Sequence, residues 1–306
     1  MVFCHRNTSM ILVESGLYLG GVLDLQDPTN LSRLGITHVL TVDSEQVALP
    51  PTFITKYVRA LDDSSTDLLS KLDECIQFIE GGKQPSSSVF VHCHAGQSRS
   101  AAVVTGYLMK AHHISLEEAK SKLTQIKPDV KINDSFLDQL ALYEAFGCKV
   151  DFSSSQYKHF RLKHLTEQLT DLKDLPKEVF AADPVQTPDT EVAYRCRKCR
   201  RTLFCGSSIL SHELGSGSAA FPHKKMTSSG HQAGCTSYFI EPVRWMENAL
   251  LGVMDGQLLC PKCTSKLGSF NWYGEQCSCG RWVTPAFQMH KNRVDEIKHI
   301  NIAGLK

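Results

Sequence analysis

The uneven placement of the twelve cysteines constrains the fold more than any other feature of the chain. Residues 1–190 hold only Cys4, Cys75, Cys93 and Cys148. The remaining eight lie in residues 191–306, six of them in the close pairs Cys196-x-x-Cys199, Cys260-x-x-Cys263 and Cys277-x-Cys279. Such pairs form disulfide frameworks in oxidising compartments and share metal ions in reducing ones. The opening stretch MVFCHRNTSMILVES has too short an apolar run for a secretory leader and no small-residue cleavage site after it. The expectation is an intracellular, soluble chain whose clustered cysteines bind metal. No run approaches the roughly 18 apolar residues of a membrane span, so no membrane partner is expected. A formal net charge of +1 excludes a global pull onto nucleic acid or an anionic surface, though not a local basic patch.

The cysteine-poor part alternates strand-like and helix-like patterns over residues 10–150. GLYLGG and HVLTVD are short β-branched or aromatic runs, and SSVFVHC is an apolar strand of the buried type. SSTDLLSKLDECIQFIE carries Leu68, Leu69, Leu72, Cys75, Ile76 and Ile79 at helical spacing, with Ser and Asp as caps. SRSAAVVTGYLMKA predicts a helix directly after Cys93. ISLEEAKSKL opens with the capping box Ser115-x-x-Glu118, and Pro128 ends that helix. DSFLDQLALYEAFG predicts another, capped by Asp134 or Ser135 and stopped at Gly147. This alternation predicts an α/β domain with a central sheet flanked by helices, its ligand site at the carboxyl edge of the sheet.

Cys93 therefore sits in a strand-to-helix turn, followed by His94, Ala95, Gly96, Gln97 and Ser98. Backbone amides of such a turn, aided by the helix dipole, form an anion site. Gly96 permits close backbone approach, and Arg99, six residues after Cys93, offers a bidentate fork to a tetrahedral oxyanion. The same positive environment favours a reactive thiolate, a nucleophile aimed at phosphorus. Redox sensing is a weaker reading, with Cys75 or Cys148 as resolving partner, since both fit an apolar helix face or a helix end.

The order His92-Cys93-x5-Arg99-Ser100 resembles the H-C-x5-R-S signature of cysteine-dependent protein phosphatases. That resemblance implies that Cys93 forms a phosphocysteine, that Arg99 binds substrate oxygens, and that Ser100 helps the sulfur leave. It implies that His92 orders the loop, and that residues 94–98 contribute backbone amides rather than side-chain chemistry. The general acid would come from VRALDDSSTDLL. Asp62 and Asp63 lie 31 and 30 residues before Cys93, and the Ala-Leu-Asp frame of the dual-specificity class favours Asp62. Asp67 suits the first turn of the next helix. The compact domain, without an Asn-Arg-Tyr segment to deepen the pocket, is similar to the dual-specificity class, which accepts phosphotyrosine as well as phosphoserine and phosphothreonine.

From Ser153 the pattern changes. Tyr157, Phe160, Leu165, Leu169 and Leu172 form a helical stripe ending before Pro176, and AADPVQTPDTE reads as a linker. The expected organisation is a catalytic domain at 1–149, a helical segment and linker at 150–190, and a small β-rich, cysteine-rich zinc-binding domain at 191–306. Spacing predicts a closed site of Cys260, Cys263, Cys277 and Cys279. A second site would join Cys196, Cys199 and Cys235 to a fourth ligand. His212 is preferred, with His223, His231 and Cys205 open, and spacing does not forbid exchange of ligands between the sites. Two structural Zn2+ ions follow, while the phosphatase chemistry requires none. Asp255-Gly256 predicts a turn, and Trp245, Trp272 and Trp282 are expected to fill the core. Arg195, Arg197, Lys198, Arg200 and Arg201 form a basic patch suited to RNA phosphates, an acidic partner or plain solvation.

Taken together, the two halves resemble a branch of the dual-specificity phosphatases, with fungal members, that carries a C-terminal zinc domain. The motifs CRKC, CTSYFIEPVRWM, LLCPKC and EQCSCGRWVTPAF carry this resemblance. It implies phosphoprotein substrates, residence in nucleus and cytoplasm, and a role in large ribosomal subunit maturation through pre-ribosomal particles or RNA.

Overall fold

A computed structural model of the chain describes residues 10–168, 175–185, 192–215 and 235–297. It divides into two compact units, Met1–Asp151 and Phe152–Lys306.

The first unit comprises, in chain order, β1 (Ile11–Glu14), β2 (Leu17–Gly21), α1 (Pro28–Arg33), β3 (Ile36–Asp43), β4 (Ile54–Arg59), α2 (Leu69–Gly82), β5 (Ser88–Cys93), α3 (Arg99–His112), α4 (Leu116–Ile126) and α5 (Asp134–Ala145). The sheet order is β1-β2-β5-β3-β4, parallel except for β1. The central strand β5 is buried from Val89 to Cys93, which explains its unbroken apolar run. Phe90 and His92 share one face, their rings stacked 5.5 Å apart, and Phe90 packs with Leu31 and Val39. Val89, Val91 and Cys93 take the opposite face. Parallel pairing sets Gly21 beside Cys93 and Thr41 beside His92. The carboxyl ends of β2, β5 and β3 thus meet at one edge, where ligands bind in sheets of this kind.

Helix ends follow the expected chemistry with one correction. Ser115 and Glu118 form the reciprocal capping box of α4. The cap of α5 is Asn133, one residue before the predicted Asp134 or Ser135. Its extended backbone (φ −67°, ψ 155°) lets Oδ1 accept from the Phe136 N–H at 2.8 Å. At the start of α2, Asp67 accepts from the Ser70 N–H at 2.9 Å. The rest of that cap comes from Gln139 of α5, whose buried carbonyl accepts from the Leu68 and Leu69 N–H groups at 2.8 Å each.

The second unit comprises α6 (Ser155–Gln168) and strands β6 (Ala193–Cys196), β7 (Thr202–Cys205), β8 (Ser237–Phe239), β9 (Asp255–Leu259), β10 (Lys266–Asn271), β11 (Glu275–Gln276), β12 (Trp282–Val283), β13 (Ala286–His290) and β14 (Val294–Ile297). They form sheets β14-β6-β7 and β8-β13-β10-β9 and the ribbon β11-β12. Leu162 of α6, Leu175, Val179 and Phe180 pack in one core with Phe204, Trp272 and Phe287. The stretch that looked like a linker is therefore part of this fold at its start: the Ala181 N–H donates to the Pro242 carbonyl at 2.8 Å, and Arg201 pairs with Asp183. Leu169, Leu172 and residues 186–191 lie outside the described residues.

Two further expectations are corrected here. Asp255-Gly256 is not a turn but the start of β9, paired with Asn271 and Phe270 of β10; the glycine serves packing there, since a Cβ on Gly256 would stand 2.8 Å from the Phe270 ring. Trp272 fills the core and Trp245 donates its N–H to the Leu203 carbonyl at 2.6 Å, but Trp282 is 60% exposed. Among the described residues no helix is long and apolar enough to cross a membrane.

Candidate active site and metal centres

The loop between β5 and α3 is a tight turn with Gly96 and Ser98 buried and His94 and Ala95 exposed. Gly96 has φ 71°, and a Cβ there would stand 2.5 Å from the Gly20 carbonyl, so only glycine lets the loop sit against the end of β2. Cys93 is buried, and two donors point at its sulfur: the Gly96 N–H at 3.2 Å and the Ser100 hydroxyl at 3.1 Å. Both suit an anionic sulfur. On the opposite face of the strand, His92 Nε2 meets Thr41 Oγ1 at 2.8 Å and Nδ1 meets the Cys93 carbonyl at 3.4 Å. Burial pushes this imidazole down to about 4, so it is neutral at pH 7 and orders the loop rather than pairing with the sulfur.

The Arg99 side chain reaches the carboxyl ends of β3 and β4. Its Nη1 donates to the Asp43 carboxylate and to the Ala60 carbonyl at 3.2 Å, while Nε is buried with no hydrogen-bond partner. A buried guanidinium N–H without a partner suits a bound oxyanion.

The three aspartates of VRALDDSSTDLL are separated by geometry. Asp63 accepts from the Ser65 N–H and hydroxyl at 2.8 and 2.6 Å, and Asp67 is taken up by the α2 cap. Asp62 turns to the cysteine loop, where it accepts from the Ser98 hydroxyl at 2.6 Å and from Asn133 Nδ2 at 2.7 Å. Ser98 in turn accepts from the Asn133 N–H at 3.2 Å. The backbone carrying Asp62 is fixed by Thr66, whose hydroxyl oxygen accepts from the Leu61 N–H at 2.8 Å, and Gln139 Nε2 donates to the Thr66 carbonyl at 2.9 Å. Elsewhere on the loop the His94 carbonyl accepts from the Val22 N–H, Ala95 is exposed, and Gln97 donates to Asp129 at 3.1 Å. Burial pushes the Cys75 thiol up to about 12 and raises that of Cys148, so neither is a ready resolving thiolate.

Sequence reading missed Asp43, Asn133, Thr41 and Gln139. Asp43 had one signal, an acidic residue closing an apolar strand. Asn133 had another, a strong cap type just before a helix.

In the second unit the expected ligands come together, but in a different partition. One group is Cys196, Cys199, Cys260 and Cys263; the other is His212, Cys235, Cys277 and Cys279, with ligand atoms within 4.8 Å of one another in each. The expected site of Cys260, Cys263, Cys277 and Cys279 does not form. The six-residue strand β10 carries the chain about 20 Å away from the Cys263 turn before β11 begins. Cys205 stands in neither group, and His223 and His231 lie outside the described residues.

Both groups fit a tetrahedral ion. Sulfurs about 2.3 Å from one zinc lie about 3.8 Å apart, and a sulfur and an imidazole nitrogen about 3.6 Å apart. The observed spacings are 3.8 Å for Cys196–Cys263, 3.5 Å for Cys199–Cys260, and 3.4 and 3.5 Å from His212 Nε2 to Cys235 and Cys279. Burial pushes the Cys260 and Cys235 thiols up to about 12, whereas the hydrogen bond from Ser265 draws Cys263 down to about 6. Thiols this close ionise together only around a cation. Next to the first group, Arg197 and Arg200 both pair with Asp295, so the basic patch is partly neutralised by its own fold.

Residues 17–146 match the family described as dual specificity phosphatase, catalytic domain. The chain is 55% identical to the human dual specificity protein phosphatase 12, over 96% of this chain and 91% of that protein. It is 32% identical to the Saccharomyces cerevisiae tyrosine-protein phosphatase YVH1, over 93% of this chain and 90% of that protein. The crystal structure of human DUSP28 covers 45% of this chain and 95% of its own at 30% identity, with a TM-score of 0.44.

Proposed function

The chain belongs to the dual specificity protein phosphatase family, and we propose that it hydrolyses phosphotyrosine, phosphoserine and phosphothreonine in proteins through a phosphocysteine. The observation that carries this reading is the 2.6 Å hydrogen bond between Asp62 and Ser98, which ties a carboxyl group into the loop that holds Cys93. In the first step the Cys93 sulfur attacks phosphorus, the P–O ester bond breaks, and Asp62 passes its proton to the departing oxygen. Arg99 and the amides of residues 94–98 neutralise the charge on the phosphoryl oxygens. Water then attacks phosphorus, giving its proton to Asp62. The S–P bond breaks, and the Ser100 hydroxyl stabilises the leaving sulfur. A phosphopeptide panel assayed with wild type and Cys93→Ser tests this: phosphate release from all three residue types is expected, and none from the variant. No turnover by the wild type would end the enzyme reading.

The sulfur and nitrogen spacings support two structural Zn2+ ions in the second unit. This unit would target the enzyme, in nucleus and cytoplasm. A second reading gives it the main role, as a factor in large-subunit maturation. The similarity to relatives runs across both units, so the second unit is shared with them and is not an appendage peculiar to this chain. Rescue of ribosome assembly by Cys93→Ser but not by Cys196→Ser would support it, and the opposite pattern would dismiss it.

A further inference from the structure

The segment that carries Asp62 is held at both ends by one helix, α5. Gln139 of that helix is buried; it accepts from the Leu68 and Leu69 N–H groups and donates to the Thr66 carbonyl. Thr66 Oγ1 in turn accepts from the Leu61 N–H and donates to the Leu61 carbonyl, each at 2.8 Å. Asn133, the cap of α5, meets the other end. Its Oδ1 accepts from the Phe136 N–H, which fixes the amide so that Nδ2 donates to Asp62 at 2.7 Å. The Ser98 oxygen accepts from the Asn133 N–H, and its hydroxyl donates to Asp62 at 2.6 Å. Both donors end on the same carboxyl oxygen, Oδ1. Among the described residues nothing bonds to Oδ2, and Asp62 is exposed.

We propose that Asn133 is a positioning residue that, with Ser98, decides which oxygen of Asp62 carries the transferred proton. Two donors at 2.6 and 2.7 Å take up both lone pairs of Oδ1, so the proton resides on Oδ2. When Cys93 attacks phosphorus, the P–O ester bond breaks and the departing oxygen keeps its electron pair. That oxygen takes the Oδ2 proton, and Asp62 is left as a carboxylate. The charge that forms is met by the same two donors, whose bonds strengthen with it. In the second step Oδ2 takes the proton of the attacking water, which restores the acid. The cap of α5 thus has a second use, in the chemistry at Cys93.

Serine caps a helix as well as asparagine does but is too short to reach Asp62. Asn133→Ser therefore removes the donor and keeps the cap, and its thermal midpoint should match wild type. In the full-length, metal-loaded chain this variant should lower kcat on phenyl phosphate about tenfold, through loss of one hydrogen bond to a forming charge. On an aryl phosphate whose leaving oxygen needs no proton, kcat should stay within about twofold of wild type. Ser98→Ala should show the same split. In an Asp62→Asn background neither substitution should cost anything further on phenyl phosphate, because both act through that carboxyl group. Equal losses on the two substrates, no loss on phenyl phosphate, or a loss that persists without Asp62 overturns the proposal. The positioning role rests on Asp62 as the acid, and Asp62→Asn checks that separately. If Asp62→Asn shows the split and Asn133→Ser does not, only the positioning role falls. If Asp62→Asn shows no split, the acid role falls and the positioning role with it.

Discussion

Arg99 and Asp43 form a buried ion pair across the carboxyl edge of the sheet, each side chain only 10% exposed. One comes from the first turn of α3 and the other from the last residue of β3, 56 positions apart. Asp43 holds one arm of the guanidinium, so the Nε edge is left for an oxyanion at no further cost in side-chain ordering.

Asp43→Ala leaves a buried guanidinium without its counter-charge, an arrangement that costs about 3–5 kcal/mol. Thermal unfolding should show a large drop in midpoint, smaller for Asp43→Asn, which keeps the shape and an acceptor. Inorganic phosphate replaces part of the missing charge, so it should raise the midpoint of Asp43→Ala more than that of wild type. An Asp43→Ala protein that melts with the wild type would show that the pair does not hold Arg99.

Asp62 and its neighbour Asp63 should separate cleanly in turnover. Asp62→Asn removes the proton donor and should slow kcat about 10²–10⁴-fold on esters with a basic leaving group. It should have much less effect on an aryl phosphate whose leaving oxygen needs no proton. Asp63→Asn loses only a local turn and should stay within about twofold of wild type on both. Steady-state kinetics on the two substrates decides, and equal losses in both variants would remove Asp62 from the acid role.

Acid stability should depend on Glu14. Burial alone would raise its carboxyl, but hydrogen bonds from Lys83, His112 and Tyr107 outweigh that and hold it at about 2, below the usual 4.5. A depressed carboxylate contributes stability that is complete above the unfolded value and disappears as pH falls through the folded one. Glu14→Gln should therefore be less stable than wild type at pH 7, and the gap should close between pH 4.5 and 2. Urea midpoints at pH 7 and near pH 2 measure this, and a constant gap would assign the loss to packing instead.

What was readable in the sequence was what short spacing encodes. Cys93, Arg99 and Ser100 lie within one turn and one helix start, and each Cys-x-x-Cys pair shares a single turn, so local geometry suffices to name them. Asp43 and Asn133 were invisible for the opposite reason. Parallel pairing and the α5 cap bring them to the loop, and neither is fixed by residues nearby. The same cause misassigned the metal partition. Spacing says which two cysteines share a turn, but which turns meet depends on how far the strand between them carries the chain.

That partition has a direct chemical consequence. Cys196→Ser weakens the group containing Cys199, Cys260 and Cys263 and leaves His212, Cys235, Cys277 and Cys279 intact. Metal content should fall from two ions per chain toward one. In that protein Cys260 and Cys263 should become open to alkylation while Cys277 and Cys279 stay protected. A site built from Cys260, Cys263, Cys277 and Cys279 would instead keep all four protected together. Mass spectrometry of alkylated peptides distinguishes the two patterns. Chelation of both ions removes about 10–16 kcal/mol of apparent binding energy per structural site. It should unfold the second unit while the first, whose core and active site use none of these residues, keeps its turnover of a small aryl phosphate.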